Sequence, residues 1–225
     1  MSIIYEQRSS DSPYVETITH GWTVSAGSPV RPAESHWHMV MVKQDGSARL
    51  LVVGPLTTAG VVSWTEGAEL VWIKFKLGAF MPHLPARDCL DAETILPGAA
   101  DQSFWLKGSA WQYPGPEDVE TFVDRLAREQ VLVCDPLVKA VLQDHPLEMS
   151  PRTVRGRFLR ATGLTQSRIR QIERARRAAA LLEGGVSILD VVFELGYFDQ
   201  PHLTRSLKRF VGKTPAQIDS ISRPV

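Results

Sequence analysis

The sequence predicts an α+β protein, with a β-rich N-terminal part and an all-helical C-terminal part. Three observations carry this: apolar residues alternate with period two before residue 96, they recur at helical spacing after residue 118, and formal charge changes sign along the chain. Residues 1–150 hold 11 Lys and Arg against 19 Asp and Glu, a balance of −8; residues 151–225 hold 14 against 6, a balance of +8. The net charge of zero hides this split. A basic tail suits an acidic partner, most often nucleic acid, or is a solvated surface, and charge alone leaves both open.

At 225 residues the chain is long enough for one large domain or two small ones, and two are expected. No apolar run approaches the roughly 18 residues that would span a bilayer. The start, "MSIIYEQRSSDSPY", has too short an apolar core for a signal peptide, so a cytoplasmic protein with no membrane partner is expected. Cys89 and Cys134 stand far apart with no CxxC nearby; reduced thiols are expected, with a sensing thiol as the lesser reading.

In chain order, "HMVMVKQDGSARLLVV" reads as two strands around an Asp45-Gly46 hairpin turn. "ELVWIKFK" alternates Val71, Ile73 and Phe75 with Trp72, Lys74 and Lys76, as a strand with one buried face does. Two Pro/Gly-rich stretches follow, at 96–118 and 144–152, and the first is taken as the domain boundary. Val119, Phe122, Val123 and Leu126 then mark one stripe of a connecting helix from about Glu117 to Glu129, free to pack on either domain or on a second chain. "DPLVKAVLQDH" is a second, shorter helix.

Ser150 and Pro151 cap and open the next helix, with Val154, Phe158 and Ala161 inward and Gly163 at its end. Its other face collects Arg152, Arg155 and Gly156, flanked by Arg157 and Arg160. A longer helix from about Gln166 to Leu182 leads to "SILDVVFELGY", opened by Ser187 and Asp190 and closed by Gly196. Last comes "DQPHLTRSLKRF", capped by Asp199, with Leu203, Leu207 and Phe210 inward and Gln200, Pro201, Thr204, Arg205 and Lys208 outward, His202 at the edge.

A short helix, a glycine turn and a second helix of this kind make a helix-turn-helix, whose second helix enters the major groove. Arg suits guanine, Gln adenine, and Thr either base edges or a thymine methyl. The helix at Pro151–Thr162 offers a second such element. The helix between, roughly 25 Å long at about 1.5 Å per residue, is suited to hold two reading helices about one DNA turn apart.

"TGLTQSRIRQIERARRAAALLEGGVSILDVVFELGYFDQPHLTRSLKRFVGKTPAQ" resembles the DNA-binding domain of the AraC/XylS transcription regulators, most specifically in "LGYFDQPHLTRSLKRFVGKTPAQ". The resemblance covers about residues 117–220. It implies base contacts from Arg152, Arg155, Gly156, Gln200, Pro201, His202, Thr204 and Arg205. Arg157, Arg160, Lys208 and Arg209 are expected on phosphates. Gly156 lacks a side chain and Pro201 a donor where many members carry polar residues, so fewer base contacts per half-site are expected. The resulting division is a sensory or effector-binding domain at 1–115, a connecting helix at 116–134 and a DNA-binding domain with two helix-turn-helix motifs at 135–220.

The N-terminal part resembles the cupin-like small β-barrel or sandwich of family sensory domains, in "VVGPLTTAGVVSWTEGAELVWIKFKLGAF". His36 and His38 have the H-x-H spacing of metal-dependent cupins, but no Glu follows at the expected distance, so no metal and no cofactor is expected and the histidines read as hydrogen-bonded or surface groups. All six Trp lie in the N-terminal half, and most read as core; a small-molecule pocket drawing on His36, Trp37, His38, Trp64 and Trp72 is the candidate ligand site.

The expected function is therefore a non-enzymatic, sequence-specific regulator of transcription, activation being the commoner role in the family. Double-stranded DNA is the partner, with a small-molecule effector, RNA polymerase and a second copy as further candidates. The alternatives are a metal-dependent cupin-type enzyme fused to DNA-binding helices, a methyl-transfer repair protein without the clustered cysteines that needs, and a non-specific architectural binder.

Overall fold

The computed structural model describes residues 2–100 and 102–222, the last four as backbone. In chain order, β1 (Ile3–Ser9) pairs with β2 (Val15–Thr23), and β3 (Val30–Arg31) is a short arm. A hairpin follows, β4 (His38–Gln44) with β5 (Ser47–Val53); β6 (Gly60–Val61) then pairs with β3, and β7 (Glu69–Phe75) lies between β2 and β4. After β8 (Ala79–Phe80) and a 3-10 turn at Ala86–Cys89 come β9 (Glu93–Ile95) and a meander of β10 (Gly98–Ala99), β11 (Ser103–Leu106) and β12 (Ser109–Gln112). The main sheet has the order β1-β2-β7-β4-β5-β9, antiparallel throughout.

The helical part begins with α1 (Val119–Arg128); β13 (Val133–Cys134), which pairs with β8, precedes α2 (Pro136–Leu142). Then come α3 (Pro151–Thr162), α4 (Gln166–Glu183), α5 (Ile188–Glu194), α6 (Gln200–Phe210) and α7 (Pro215–Ser222). The N-terminal part is thus mostly β and the C-terminal part helical, as the change of period predicts. No helix among the described residues is long and apolar enough to cross a membrane.

Local chemistry accounts for the main sheet. Gln44 faces Ser47 across Asp45 and Gly46, whose φ values of 50° and 76° make the type I′ turn that matches strand twist, and glycine takes its half of that turn without steric cost. Val71, Ile73 and Phe75 are fully buried while Trp72 and Lys74 on the other face are not. They join Ile18, Met39, Met41, Leu50 and Val52 in one core, each such side chain worth roughly 1.5–3 kcal/mol when buried.

The Pro/Gly-rich stretch at 96–118 is folded: its meander sends Phe104 and Trp111 into that core, where α1 closes over them with Val119, Phe122, Val123 and Leu126. Arg8 of β1 forks onto Glu120 of α1, with Nη2 2.8 Å from Oε2. The stripe of α1 is therefore spent inside its own chain and is not a free face for a second copy.

The chain forms two compact units. One contains the residues up to Gly27, then His36–Pro55 and Ser63–Thr165; the other contains Ser28–Ser35, Leu56–Val62 and the residues from Gln166 onward. In the first unit α2 and α3 continue the β fold: Gly163, the left-handed end of α3 with φ 71°, lies so close to the 3-10 turn that a Cβ there would sit 2.8 Å from the Ala86 carbonyl oxygen. In the second unit Ile169, Ile172, Ala175, Ala179 and Leu182 form one buried stripe on α4, and α5, α6 and α7 pack against that helix. The arm of β3 and β6 belongs to this unit. Arg176 of α4 bonds the Ala33 carbonyl and Glu34 Oε2, both at 3.1 Å, and Ser35 donates to Glu173 at 2.7 Å.

Candidate nucleic-acid interface

In the second unit, α5, a turn and α6 are built by their caps. Ser187 accepts from the Asp190 amide at 3.2 Å and opens α5; Leu195 and Gly196, the latter at φ 65°, end it. Tyr197 is buried, its hydroxyl 3.2 Å from Ser206 Oγ, which ties the turn to α6. Asp199 accepts from the His202 amide at 2.7 Å and opens α6, with Pro201 in the first turn where no amide hydrogen is needed.

Leu203, Leu207 and Phe210 are buried, which fixes the rotation of α6 and turns Gln200, Pro201, Arg205, Lys208 and Arg209 to solvent with Thr204 half-buried between them. His202 is drawn away from that face. Its Nδ1 accepts from the Phe198 amide at 3.3 Å and its ring meets Tyr197 edge-on at 5.2 Å, so it braces the turn.

The first unit carries the other expected helix. Ser150 accepts from the Thr153 amide at 3.2 Å and Pro151 opens α3; Phe158 and Ala161 are buried, and Arg152, Arg155 and Gly156 are exposed together. A Cβ on Gly156 would meet nothing within 4 Å. Arg157 and Arg160, expected on phosphates, have protein partners. Arg157 forks onto Asp135, Nε to Oδ2 at 3.0 Å and Nη2 to Oδ1 at 2.6 Å, while the same carboxylate caps α2 by accepting from the Leu137 amide. Arg160 lies over the Phe80 ring at 5.9 Å.

The five residues of the expected ligand pocket are dispersed through the first unit. Trp37 stacks on Phe75 at 3.9 Å in the core and donates to the Ala79 carbonyl. His38 and Trp72 are together on the opposite face, with the indole donating to His38 Nδ1 at 2.7 Å. His36 Nε2 is 2.9 Å from Glu16 Oε2, and this bond, assisted by Lys74, holds the Glu16 carboxyl down to about 2. Trp64 stands apart, donating to the Ser25 carbonyl. Both cysteines are free; burial and a neighbouring acid push each thiol up, which opposes a reactive thiolate.

Residues 146–220 match the family model of a helix-turn-helix domain. No curated protein and no solved structure matches the chain. The matched span takes in α3, α5 and α6, and it supports a DNA-binding regulator of transcription whose helix-turn-helix domain is of the AraC type.

Sequence reasoning missed three exposed apolar side chains. Leu189, Phe193 and Phe198 are 73%, 90% and 91% exposed. A signal was present: "SILDVVFELGYF" has more apolar residues than one buried stripe of a two-turn helix can take.

Proposed function

We propose that the protein is a sequence-specific regulator that reads a bipartite DNA site, with α6 in one major groove and α3 in the next. The observation that carries this is the outer face of α6: Gln200, Thr204, Arg205 and Lys208 point outward from a helix whose rotation is locked by three buried side chains. Guanine and adenine edges are the natural partners of Arg205 and Gln200, and the lysine and arginine of the last turn suit phosphate. Arg152 and Arg155 supply the readout of α3. Each chain carries both helices, so a second copy is not required.

We further infer control by a small molecule bound in the N-terminal part, a role supported by that part's separate β core; a cupin-like origin rests on sequence resemblance and antiparallel strands. The exposed Leu189, Phe193 and Phe198 support a protein partner such as RNA polymerase on this surface.

The test is selection of binding sites by the full-length protein from random DNA at about 0.15 M salt, where purely electrostatic binding is weak. The expected product is a motif of two blocks centred about 10 base pairs apart. Binding at low salt with no enriched motif would replace this reading with that of an architectural binder.

A further inference from the structure

Within the first unit, a cavity of about 600 Å³ opens between the outer side of α3 and the stretch from β8 through the 3-10 turn. Its walls are apolar, with Phe80, Met81 and Pro85 on one side and Leu159 on the other, and its polar groups include the guanidinium-bearing Arg87 and Arg160. The size falls within the range of about 300–1,000 Å³ typical of small-molecule sites. Phe80 and Met81 also wall a second, smaller apolar space that reaches Trp37.

The lining selects a ligand chemistry. Sugars and other polyols would lose water from their hydroxyls without finding enough partners on these walls. A cation would meet two arginines. An apolar body ending in one carboxylate satisfies both features, because a guanidinium fork binds a carboxylate through two parallel bonds. Arg87 Nε is 3.3 Å from the Asp88 carboxylate in an exposed pair, a weak competitor for a ligand carboxylate. Space beside α3 comes from Gly156, which lines the cavity and lacks a side chain to fill it.

We propose that this groove binds an amphipathic carboxylate, with the apolar body along Phe80, Met81 and Leu159 and the carboxylate held by Arg87 and Arg160. The site includes Gly156 and Arg160, which the sequence assigns to DNA, so a ligand that occupies Arg160 competes with phosphate for it. This last consequence rests on the regulator reading. Coupling of this kind is reciprocal, the ligand weakening DNA binding by the same factor as DNA weakens the ligand.

Calorimetric titration of the full-length protein with dodecanoate, below its micelle concentration, tests the site. Dodecan-1-ol and dodecyltrimethylammonium serve as neutral and cationic comparators. One dodecanoate per chain is expected, bound at least about tenfold tighter than either comparator, with Arg87→Gln losing about tenfold. Leu159→Trp, a change at a partly exposed position that fills the groove, should abolish binding while the circular dichroism melt of the protein stays in place. Absence of dodecanoate binding, equal binding of the alcohol, or indifference to both substitutions would overturn the proposal. If dodecanoate binds as expected yet leaves affinity for the selected DNA unchanged, the site stands and its role as an effector site falls.

Discussion

The backbone amide of Ala33 donates to the carbonyl of Phe210 at 2.7 Å, and that of Ala59 donates to Arg209 at 2.8 Å. Two of the last carbonyls of α6, which a helix end leaves without partners, are thereby satisfied from the arm of β3 and β6. The same arm sets Val30 against Gly212, where a Cβ would lie 2.4 Å from Val30 Cγ1 on a residue with φ 80°. The helix α6 and N-terminal sequence thus meet inside one compact unit.

Replacing Gly212 with Ala should therefore cost about 2–4 kcal/mol, from left-handed backbone strain and from overpacking together. Adding Val30→Ala should return the overpacking share and leave the backbone share. Urea unfolding of the four proteins of this cycle measures the coupling. Strict additivity would mean that the arm does not press on Gly212 in solution.

Asp135 does two jobs in the first unit, capping α2 and gripping Arg157. Asp135→Ala should cost about 2 kcal/mol, roughly 1 from the lost cap and the rest from the released arginine. Arg157→Ala should cost under about 1 kcal/mol, because its guanidinium is partly solvated. If the pair persists on DNA, Arg157→Ala will leave the salt dependence of binding unchanged; a slope reduced by about one would show that Arg157 moves onto phosphate instead.

The elements with strong local signals were legible. Asp45-Gly46 specifies its turn, Ser150-Pro151 and Asp199 with Pro201 specify two helix starts, and the spacing of Leu203, Leu207 and Phe210 determines which face of α6 is free. What stayed hidden depends on partners distant in sequence. Nothing near Arg157 announces that Asp135, 22 positions earlier, will take its charge. Nothing in "SPVRPAES" or "LTTAGVV" says that these segments will join the C-terminal helices, since their bonds to α6 are made by backbone amides that every residue type carries. Composition also misleads at 96–118, where prolines and glycines punctuate a tight meander around Phe104 and Trp111. The groove at Leu159 could not be read, because its two sides are some 70 positions apart.

Acid should loosen the first unit through two carboxylates. Glu120 is held down to about 2 chiefly by its hydrogen bond from Arg8, and Glu16 to about 2 chiefly by that from His36. A carboxyl whose folded value is depressed stabilises the fold fully above its unfolded value of about 4.3, and that contribution is lost as pH falls toward 2. The urea midpoint should hence drop between pH 5 and pH 3 by more than in Glu120→Gln, for which part of the slope is removed. Parallel pH profiles for the two proteins would show that the Arg8 pair contributes nothing in solution.

On the proposed reading, the outer face of α6 divides into residues that read bases and residues that hold phosphate. Arg205 lies in the second turn, among Gln200, Pro201 and Thr204, whereas Lys208 lies in the last turn beside Arg209. Arg205→Ala should cost roughly 1–3 kcal/mol on the selected site and relax preference at one base pair, with little effect on random DNA. Lys208→Ala should weaken selected and random DNA alike and lower the salt slope by about one. Competition binding at several salt concentrations compares the two variants. Equal loss on every sequence for Arg205→Ala would place that arginine on the backbone and leave Gln200 and Thr204 as the readers of α6.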